Sequence, residues 1–585
     1  MKNLSAWKRD WSLMTHFFKE DEIETVNRKV GNLGIRHVVY CSFENRFARS
    51  GGLGAVAMNI LPWLNEAPGL HRSSYLITPF YPHIIGENKL EKTGKSFKVA
   101  YRKGWLKKKV KVEIYRYRLE YGEPVKGMTE EYYLKARGFF DAKNRINDPY
   151  LYHEDDARKN DEILGENALF FCKAVPMAMA ALGIGEDIVF HLQEWQTALI
   201  ALTSKEAMLE GTLTSCGTAQ TLHNSFDSGL SLNMLEKITA KKRLDNRRIR
   251  EGLTALQVGL QLVDAPITSV SGHFAEELTA DILQTRHFAP HLQEIFKRSG
   301  VYGVNNGMFA DFPPEFSRPA KESFTIDEIE KIKLAKRKAL LDILDRYRPN
   351  RRFGVLTYRG TTITALPDSI PILVMSGRLD LFQKGYDIFL RAIQRFAEDE
   401  IKVILTPMPV KDCHLDYFRE TARRCSGNLT VFPIRMEKGF RELQMGSTYG
   451  IMPSIYEPFG AAIEYMVNGT VTIARETGGL IGQIDHMVNG FLYREEPGCY
   501  TEANIAAFVR TGDNVQERED NPWVRGMVDA LYKTLKQAAV VYQSHRDDYY
   551  RMIVNGFKKA ETFSWQKSVE GYFKVFGKIN PKQEA

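Results

Sequence analysis

Residues 372–385 read Ile-Leu-Val-Met-Ser-Gly-Arg-Leu-Asp-Leu-Phe-Gln-Lys-Gly. A short, almost continuously apolar run, Ile372–Ser376, gives way at Gly377 to a loop that carries Arg378 and Lys384 and ends on Gly385. A run of this length, apolar throughout rather than alternating, predicts a parallel strand covered on both faces by helices. Cations at the C-terminal end of such a strand sit where open α/β sheets bind their ligands. The same rhythm of apolar run and amphipathic stretch recurs on both sides. It is found at His37–Phe43, Ser74–Thr78, Ile188–His191, Ala219–Leu222 and Pro266–Val270, and again at Val403–Thr406, Leu429–Phe432, Tyr449–Met452 and Val471–Ile473. Only Tyr101–Leu119 breaks it, where Val110-Lys-Val-Glu-Ile-Tyr115 alternates with period two and predicts an antiparallel hairpin. The series predicts an α/β protein with two Rossmann-like, doubly wound parallel-sheet domains.

At 585 residues the chain exceeds what one hydrophobic core supports. The expected division is 1–315, 316–555 and a terminal helical piece, 556–585, that packs on the second domain or crosses back to the first. Asn305-Asn-Gly307, Pro313-Pro314 and Pro319 mark the irregular connection behind the first boundary. A hydrophobic content of 44% with 26% charged residues excludes wholesale disorder. The 80 Lys and Arg against 72 Asp and Glu leave a net charge of +8, which suits an anionic small molecule as well as nucleic acid. Basic runs at Lys107–Lys109, Lys241–Arg250 and Lys331–Arg352 read as solvated faces, and no nucleic-acid signature accompanies them. The most apolar helical stretch, Phe170–Gly185, is interrupted by Lys173 and Pro176, and the first twenty residues lack an apolar leader core; no membrane association is expected, and a cytoplasmic location is. Six scattered cysteines, Cys413 among them, have no metal spacing, so neither a metal nor a disulfide is expected.

Four segments carry chemistry. Ser50-Gly-Gly-Leu-Gly54 follows the first strand and opens an apolar helix; Gly51 and Gly52 let backbone approach an anion at a helix N-terminus, with Arg49 beside them. Arg378 and Lys384 suit a diphosphate, whose charge builds as it leaves. Pro453-Ser-Ile-Tyr-Glu-Pro-Phe-Gly460 offers Glu457 to a sugar hydroxyl, and Glu476-Thr-Gly-Gly-Leu480 brings a second glycine pair, Gly478 and Gly479, to a strand end. His191-Leu-Gln-Glu-Trp-Gln-Thr197 and His223-Asn224 place hydroxyl partners and a flat apolar ring at the ends of two further strands.

The order of these segments resembles that of the bacterial and plant glycogen/starch synthases, retaining glucosyltransferases of the GT-B fold. Their K-T-G-G-L is similar to Arg49-Ser-Gly-Gly-Leu53, H-x-x-D-W to His191–Trp195, H-N to His223-Asn224, T-V-S to Thr268–Ser271 and N-G to Asn306-Gly307. S-R-L…Q-K-G is similar to Gly377–Leu379 with Gln383–Gly385, E-P-x-G to Glu457–Gly460, T-G-G-L to Thr477–Leu480 and S-W to Ser564-Trp565. The resemblance spans about residues 36–575. Three departures stand out. Arg49 replaces a lysine, Phe309 replaces an aspartate, and both the longer Arg378–Lys384 spacing and Glu194 resemble the animal and fungal enzymes, which use UDP-glucose. A phosphorylase is disfavoured: before Met466-Val-Asn-Gly469 the position of its cofactor lysine is Glu464, which forms no Schiff base. Tyr465, eight residues after Glu457, matches the glucan-synthase branch.

The resemblance implies a GT-B architecture whose two domains face an interdomain cleft. It also implies glucose transfer, with retention, from ADP-glucose or UDP-glucose to the non-reducing end of an α-1,4-glucan, without metal or other cofactor. Arg378, Lys384 and Glu457 are the implied catalytic residues. Arg49, Gly51, Gly52, His191, Gln193, His223, Asn224, Asn306, Tyr465, Thr477, Gly478 and Gly479 are the implied binding residues. No carboxylate nucleophile is evident, and the resemblance implies front-face transfer, with the departing phosphate taking the acceptor proton. A transferase acting on a small acceptor and a non-catalytic glucan-binding homologue are the alternatives.

Overall fold

The structure, a computed structural model, describes residues 12–580 with Leu4, Trp7 and Arg9, apart from 67–72, 87–88, 104–105, 123–124, 126, 145, 240–251, 319–322, 347–365, 398, 409–416, 419, 422–423, 426–428, 433–438 and 513. The basic run 241–250, Cys413 and Pro319 lie outside the described residues. The chain forms two compact units: Met1–Phe309 with Ser564–Ala585, and Ala310–Phe563. The units change at Phe309/Ala310 and Phe563/Ser564, against the expected 315/316 and 555/556, and the last helix, Trp565–Gly577, belongs to the first unit.

The first unit is built on a nine-stranded sheet. Its strands are β1 (His37–Cys41), β2 (Ser73–Pro79), β3 (Glu91–Lys103), β4 (Leu106–Tyr121), β5 (Gly127–Ala136), β6 (Ile188–Gln193), β7 (Cys216–Leu222), β8 (Ile267–Ser269) and β9 (Val301–Gly303). They lie in the order β3-β4-β5-β2-β1-β6-β7-β8-β9. Pairing is antiparallel at β3–β4 and β4–β5 and parallel elsewhere. The hairpin expected at Tyr101–Leu119 is the β3–β4 pair, and β5, not foreseen, joins it to the parallel strands. Every residue of β6 and β7 is buried, as parallel strands between two helical layers must be. The helix Ala157–Leu182 packs within this unit, started by the Asp156 carboxylate accepting the Lys159 amide at 3.1 Å and ended at Gly183 (φ +85°). It is long and apolar enough to cross a membrane, but 72% of its apolar stretch is buried in the protein. From the last helix, Trp565, Val569, Tyr572, Val575 and Phe576 join the same core.

The second unit has six strands, all parallel: β10 (Ile372–Arg378), β11 (Lys402–Met408), β12 (Leu429–Val431), β13 (Tyr449–Met452), β14 (Val471–Arg475) and β15 (Gly490–Tyr493). Their order is β12-β11-β10-β13-β14-β15. Counted from β10 this is 3-2-1-4-5-6, the doubly wound order, with its switch point between β10 and β13. The helices Pro522–Ser544 and Arg546–Ala560 are tied to the start of β13: the Tyr449 hydroxyl donates to the Ala538 carbonyl at 2.8 Å and Tyr549 to the Thr448 carbonyl at 3.0 Å. In both units the chemistry-bearing loops emerge from the carboxyl ends of parallel strands, after β1, β6 and β7 in the first and after β10, β13 and β14 in the second.

Candidate active site

In the second unit the loop after β10 meets the loops after β13 and β14. The Lys384 ammonium donates to Glu457 Oε2 at 2.6 Å, and the Ser454 hydroxyl donates to the same oxygen at 2.9 Å. Glu457 is buried while Lys384 keeps about a quarter of its side chain in solvent, so the pair has one open side. Arg378 donates to Asp380 Oδ2 at 3.1 Å and to Gln383 Oε1 at 3.2 Å, which binds it to the residue before Lys384. The Gln383 amide reaches the Tyr456 carbonyl at 3.5 Å. The backbone of Glu457 accepts from the Gly479 amide at 2.9 Å, bringing Thr477–Gly479 to the same place. Arg378, Lys384, Glu457, Thr477, Gly478 and Gly479 are therefore one constellation at the switch point, assembled from three loops. Tyr465 is hydrogen-bonded to Ser376, two residues before Arg378. It is buried on the helix Ala462–Val467 with its ring on the β13 backbone, where a Cβ at Gly450 would come within 2.6 Å of it, and burial pushes its hydroxyl up to about 12.

In the first unit two buried glutamates organise the loops. Glu44, between β1 and the glycine pair, accepts the Gly51 amide at 3.1 Å on one carboxylate oxygen and the Gly54 amide at 3.0 Å on the other. The helix Leu53–Asn65 thus has its N-terminal amides held by an internal carboxylate, as its dipole favours. The Gly51 amide, expected to be offered to a ligand, is spent within the chain. Burial pushes Glu44 up to about 6, against the pull of the Gly54 and Gly51 amides. Glu194, at φ +62°, accepts the His223 and Asn224 amides, the latter at 3.1 Å; burial pushes it up to about 8, with the Glu44 charge a lesser contribution. Glu44 gives little signal in the sequence beyond an acid placed just ahead of two glycines. Arg49 is exposed on this loop, its stem crossing Gly54.

His223 donates through Nε2 to Gln193 Oε1 at 2.8 Å, and Asn224 Oδ1 accepts the Phe226 amide at 2.6 Å. Burial lowers His223 to about 3, so it is neutral at physiological pH and Nδ1 remains an acceptor. His191 is not part of this group. Its ring lies in the core, 2.7 Å from the Thr221 hydroxyl and edge-on to Tyr40, with the Tyr572 and Phe576 rings 4.6 and 5.3 Å away. The last helix covers it. Asn306 is buried too: its amide donates to the Val270 carbonyl at 3.2 Å and its Oδ1 has no partner among the described residues. Among the described residues no three His, Cys, Asp or Glu are grouped to hold a metal ion.

Two switch-point sites, each in its own doubly wound sheet, define the GT-B class of glycosyltransferases. A family model described as the starch synthase catalytic domain matches residues 37–311, and one described as glycosyl transferases group 1 matches residues 370–510. Over both units the chain is similar to the glycogen/starch synthases, and it is a glycosyltransferase. A glycogen synthase of Alkaliphilus metalliredigens is 24% identical over 546 residues, covering 91% of this chain and 97% of that one. One from Geobacillus thermodenitrificans is 26% identical over 451 residues, covering 74% and 80%. Among solved structures, the catalytic domain of starch synthase IV from Arabidopsis thaliana, bound to ADP and acarbose, superposes with a TM-score of 0.66 at 17% identity, over 93% of this chain and 99% of that chain.

Proposed function

We propose that the protein transfers glucose, with retention, from ADP-glucose or UDP-glucose to the non-reducing end of an α-1,4-glucan. The observation that carries this is the Lys384–Glu457 pair at the β10/β13 switch point, with Arg378 beside it. Both bonds to Glu457 fall on Oε2, which leaves Oε1 for a glucose hydroxyl and fixes the sugar relative to the cations. Lys384 and Arg378 hold fixed positive charge where the diphosphate gains negative charge as the glycosidic bond breaks, the kind of preorganised stabilisation worth ~10²–10³ in rate per group. These two cations do the work a divalent ion does in other transferases, so turnover should withstand a chelator. His223 Nδ1, Gln193 and Asn224 supply neutral hydrogen-bond partners to sugar hydroxyls on the first unit. The glucan hydroxyl attacks the anomeric carbon on the face the diphosphate leaves, and its proton passes to that phosphate.

The bound ADP and acarbose of the Arabidopsis starch synthase support a nucleotide donor and a glucan-like acceptor; the base is decided by assay. Purified protein incubated with ADP-, UDP- and GDP-glucose, with and without glycogen, should release nucleotide from one donor in a glycogen-dependent way and incorporate labelled glucose. Lys384→Ala and Glu457→Gln should each lose about 10²–10³ of that turnover while melting as folded proteins. Undiminished incorporation by either variant refutes its role, and release that ignores glycogen but needs a small sugar points to the small-acceptor alternative.

A further inference from the structure

Arg378 and Lys384 bound a loop whose midpoint is Leu381. Near its ends the loop is fastened to its surroundings. The Tyr386 hydroxyl donates to the Gly377 carbonyl at 3.1 Å, the Leu379 amide to the Met408 carbonyl at 2.8 Å and the Ile455 amide to the Gln383 carbonyl at 2.8 Å. At the midpoint no main-chain amide donates to the Leu381 carbonyl among the described residues; its donor is the Arg518 guanidinium, through Nη2. Arg518 comes from far along the chain, in the segment that follows the helix Glu502–Thr511. It is wholly buried, as is Asp387, and two bonds join them, Nε to Oδ2 at 3.0 Å and Nη2 to Oδ1 at 2.7 Å. Asp387 stands in the first turn of the helix Tyr386–Ile393, which begins directly after Gly385. Arg391 of that helix donates to the Val515 carbonyl at 2.7 Å, and Arg518 Nη1 reaches the Gly512 carbonyl at 3.4 Å. Beside Leu381 the Phe382 ring stacks on Phe508 with centres 5.1 Å apart, and the Arg518 guanidinium lies 4.9 Å from the centre of the Phe508 ring.

A buried ion pair is a poor route to stability, since well-packed apolar side chains of similar volume often serve as well or better. What this pair supplies is direction. Asp387 fixes the plane of the guanidinium through two bonds, and Nη2 has a second N–H to spend on the Leu381 carbonyl, a fork that lysine cannot copy. The spacing from Arg378 to Lys384 is the longer one, so the middle of the loop is where a hold is most needed. A reacting group misplaced by about 1 Å loses on the order of 10²-fold in rate. We propose that Arg518 is a positioning residue for glucose transfer: held by Asp387, it pins the loop at Leu381 and keeps Arg378 and Lys384 at the separation the diphosphate requires. The reaction it serves rests on the transferase reading above; the brace itself does not.

The test removes the pair as a unit in the full chain. Arg518→Met combined with Asp387→Leu leaves no unpaired buried charge, so the protein should fold and melt near the parent. Its amides at 378–385 should exchange hydrogen faster by mass spectrometry. Its kcat for glucose transfer to glycogen should fall at least about tenfold, which is 1.4 kcal/mol, with donor KM changed less. Arg518→Lys keeps a charge for Asp387 but not the fork for Leu381 and should lose kcat in the same direction; it decides should the double variant fail to fold. Lys333→Met is the destabilised control. It removes a buried ammonium that donates to the Ser447 carbonyl at 2.8 Å, and should lower the melting temperature while kcat and exchange at 378–385 stay as in the parent. A parent-like kcat, parent-like exchange at 378–385 or an equal loss of kcat in Lys333→Met overturns the proposal. Failure of the transferase reading has a different signature, a parent that transfers glucose from no donor. Exchange at 378–385 then decides for the brace by rising in the double variant, or against it by staying unchanged.

Discussion

Two histidines in adjacent strands show how residue type alone misleads. His191 and His223 both stand near the ends of apolar strands, yet one is wedged under the last helix and the other faces a loop, bonded to Gln193. His191→Phe should keep the aromatic packing and remove one bond of the Thr221 hydroxyl, which keeps Thr268 Oγ1 at 2.7 Å, lowering stability by about 0.5–1.5 kcal/mol with donor and glucan KM unchanged. His223→Ala should do the reverse, with melting near that of the parent and glucose transfer reduced at least about tenfold, which steady-state kinetics and a thermal melt on each variant would check. Glu194 makes a pH-dependent prediction. An unfolded glutamate ionises near 4.3, whereas burial holds Glu194 protonated up to about 8. Between those values the folded chain binds more protons than the unfolded one, so this group's contribution to stability falls as pH rises through the window. Glu194→Gln, which copies the protonated acid and can still accept the His223 and Asn224 amides, should match the parent near pH 4. It should melt progressively higher than the parent from pH 5 to 8, by about 2–4 °C for each kcal/mol recovered.

At the scale of elements, the strands were readable because each parallel strand is a buried apolar run of limited length, and all ten such runs in the sequence correspond to strands. The same full burial hides which way each side chain points. With both faces covered there is no alternation to separate core from site, so neither His191 nor Tyr465 betrays its position, and the helix that covers His191 comes from the far end of the chain. Strands β9 and β15 do not stand out as apolar runs, and β5 reads as polar because it carries Thr129, Glu130, Glu131 and Lys135, of which Glu131 is buried in an ion pair with Arg46. The glycine loops were legible as loops, but their work is close packing more than ligand contact. A Cβ on Gly479 would sit 2.3 Å from the Phe459 carbonyl oxygen. Gly385 holds φ +66° with the Pro453 carbonyl oxygen only 2.1 Å from such a Cβ. These glycines let the loops after β10, β13 and β14 touch, and that contact is what joins Lys384 to Glu457. Gly479→Ala should therefore cost about 1–3 kcal/mol by overpacking and, by pushing apart the loops that seat the donor, raise its KM more than it lowers the melting point would suggest. A Gly31→Ala variant, at the end of the helix Glu20–Gly31 where nothing lies within 4 Å, is the control and should change neither.

At the scale of the whole molecule, the second unit is one continuous segment, Ala310–Phe563, whereas the first is completed only by Ser564–Ala585. The connection is specific. Trp565 covers Gly307, where a Cβ would meet its backbone nitrogen at 2.5 Å, and its indole N–H donates to the Met308 carbonyl at 2.7 Å; Ser568 donates to the Asn305 carbonyl at 2.6 Å. Asn580 then donates to the Leu33 carbonyl at 3.1 Å, beside the start of the sheet. Six side chains of this segment, Trp565, Val569, Tyr572, Val575, Phe576 and Ile579, are buried in the first core. At about 1.5–3 kcal/mol for each large apolar side chain, their removal withdraws as much as an entire domain's net stability of about 5–15 kcal/mol. A chain ending at Phe563 should accordingly lose the cooperative melting of its first unit while Ala310–Phe563 still unfolds in a transition of its own. Differential scanning calorimetry of the full and shortened chains, beside the isolated 310–563 segment, measures this directly. Two transitions surviving in the shortened chain would show that the first sheet is stable without its last helix, and that the burial of His191 beneath Tyr572 and Phe576 is dispensable to the fold.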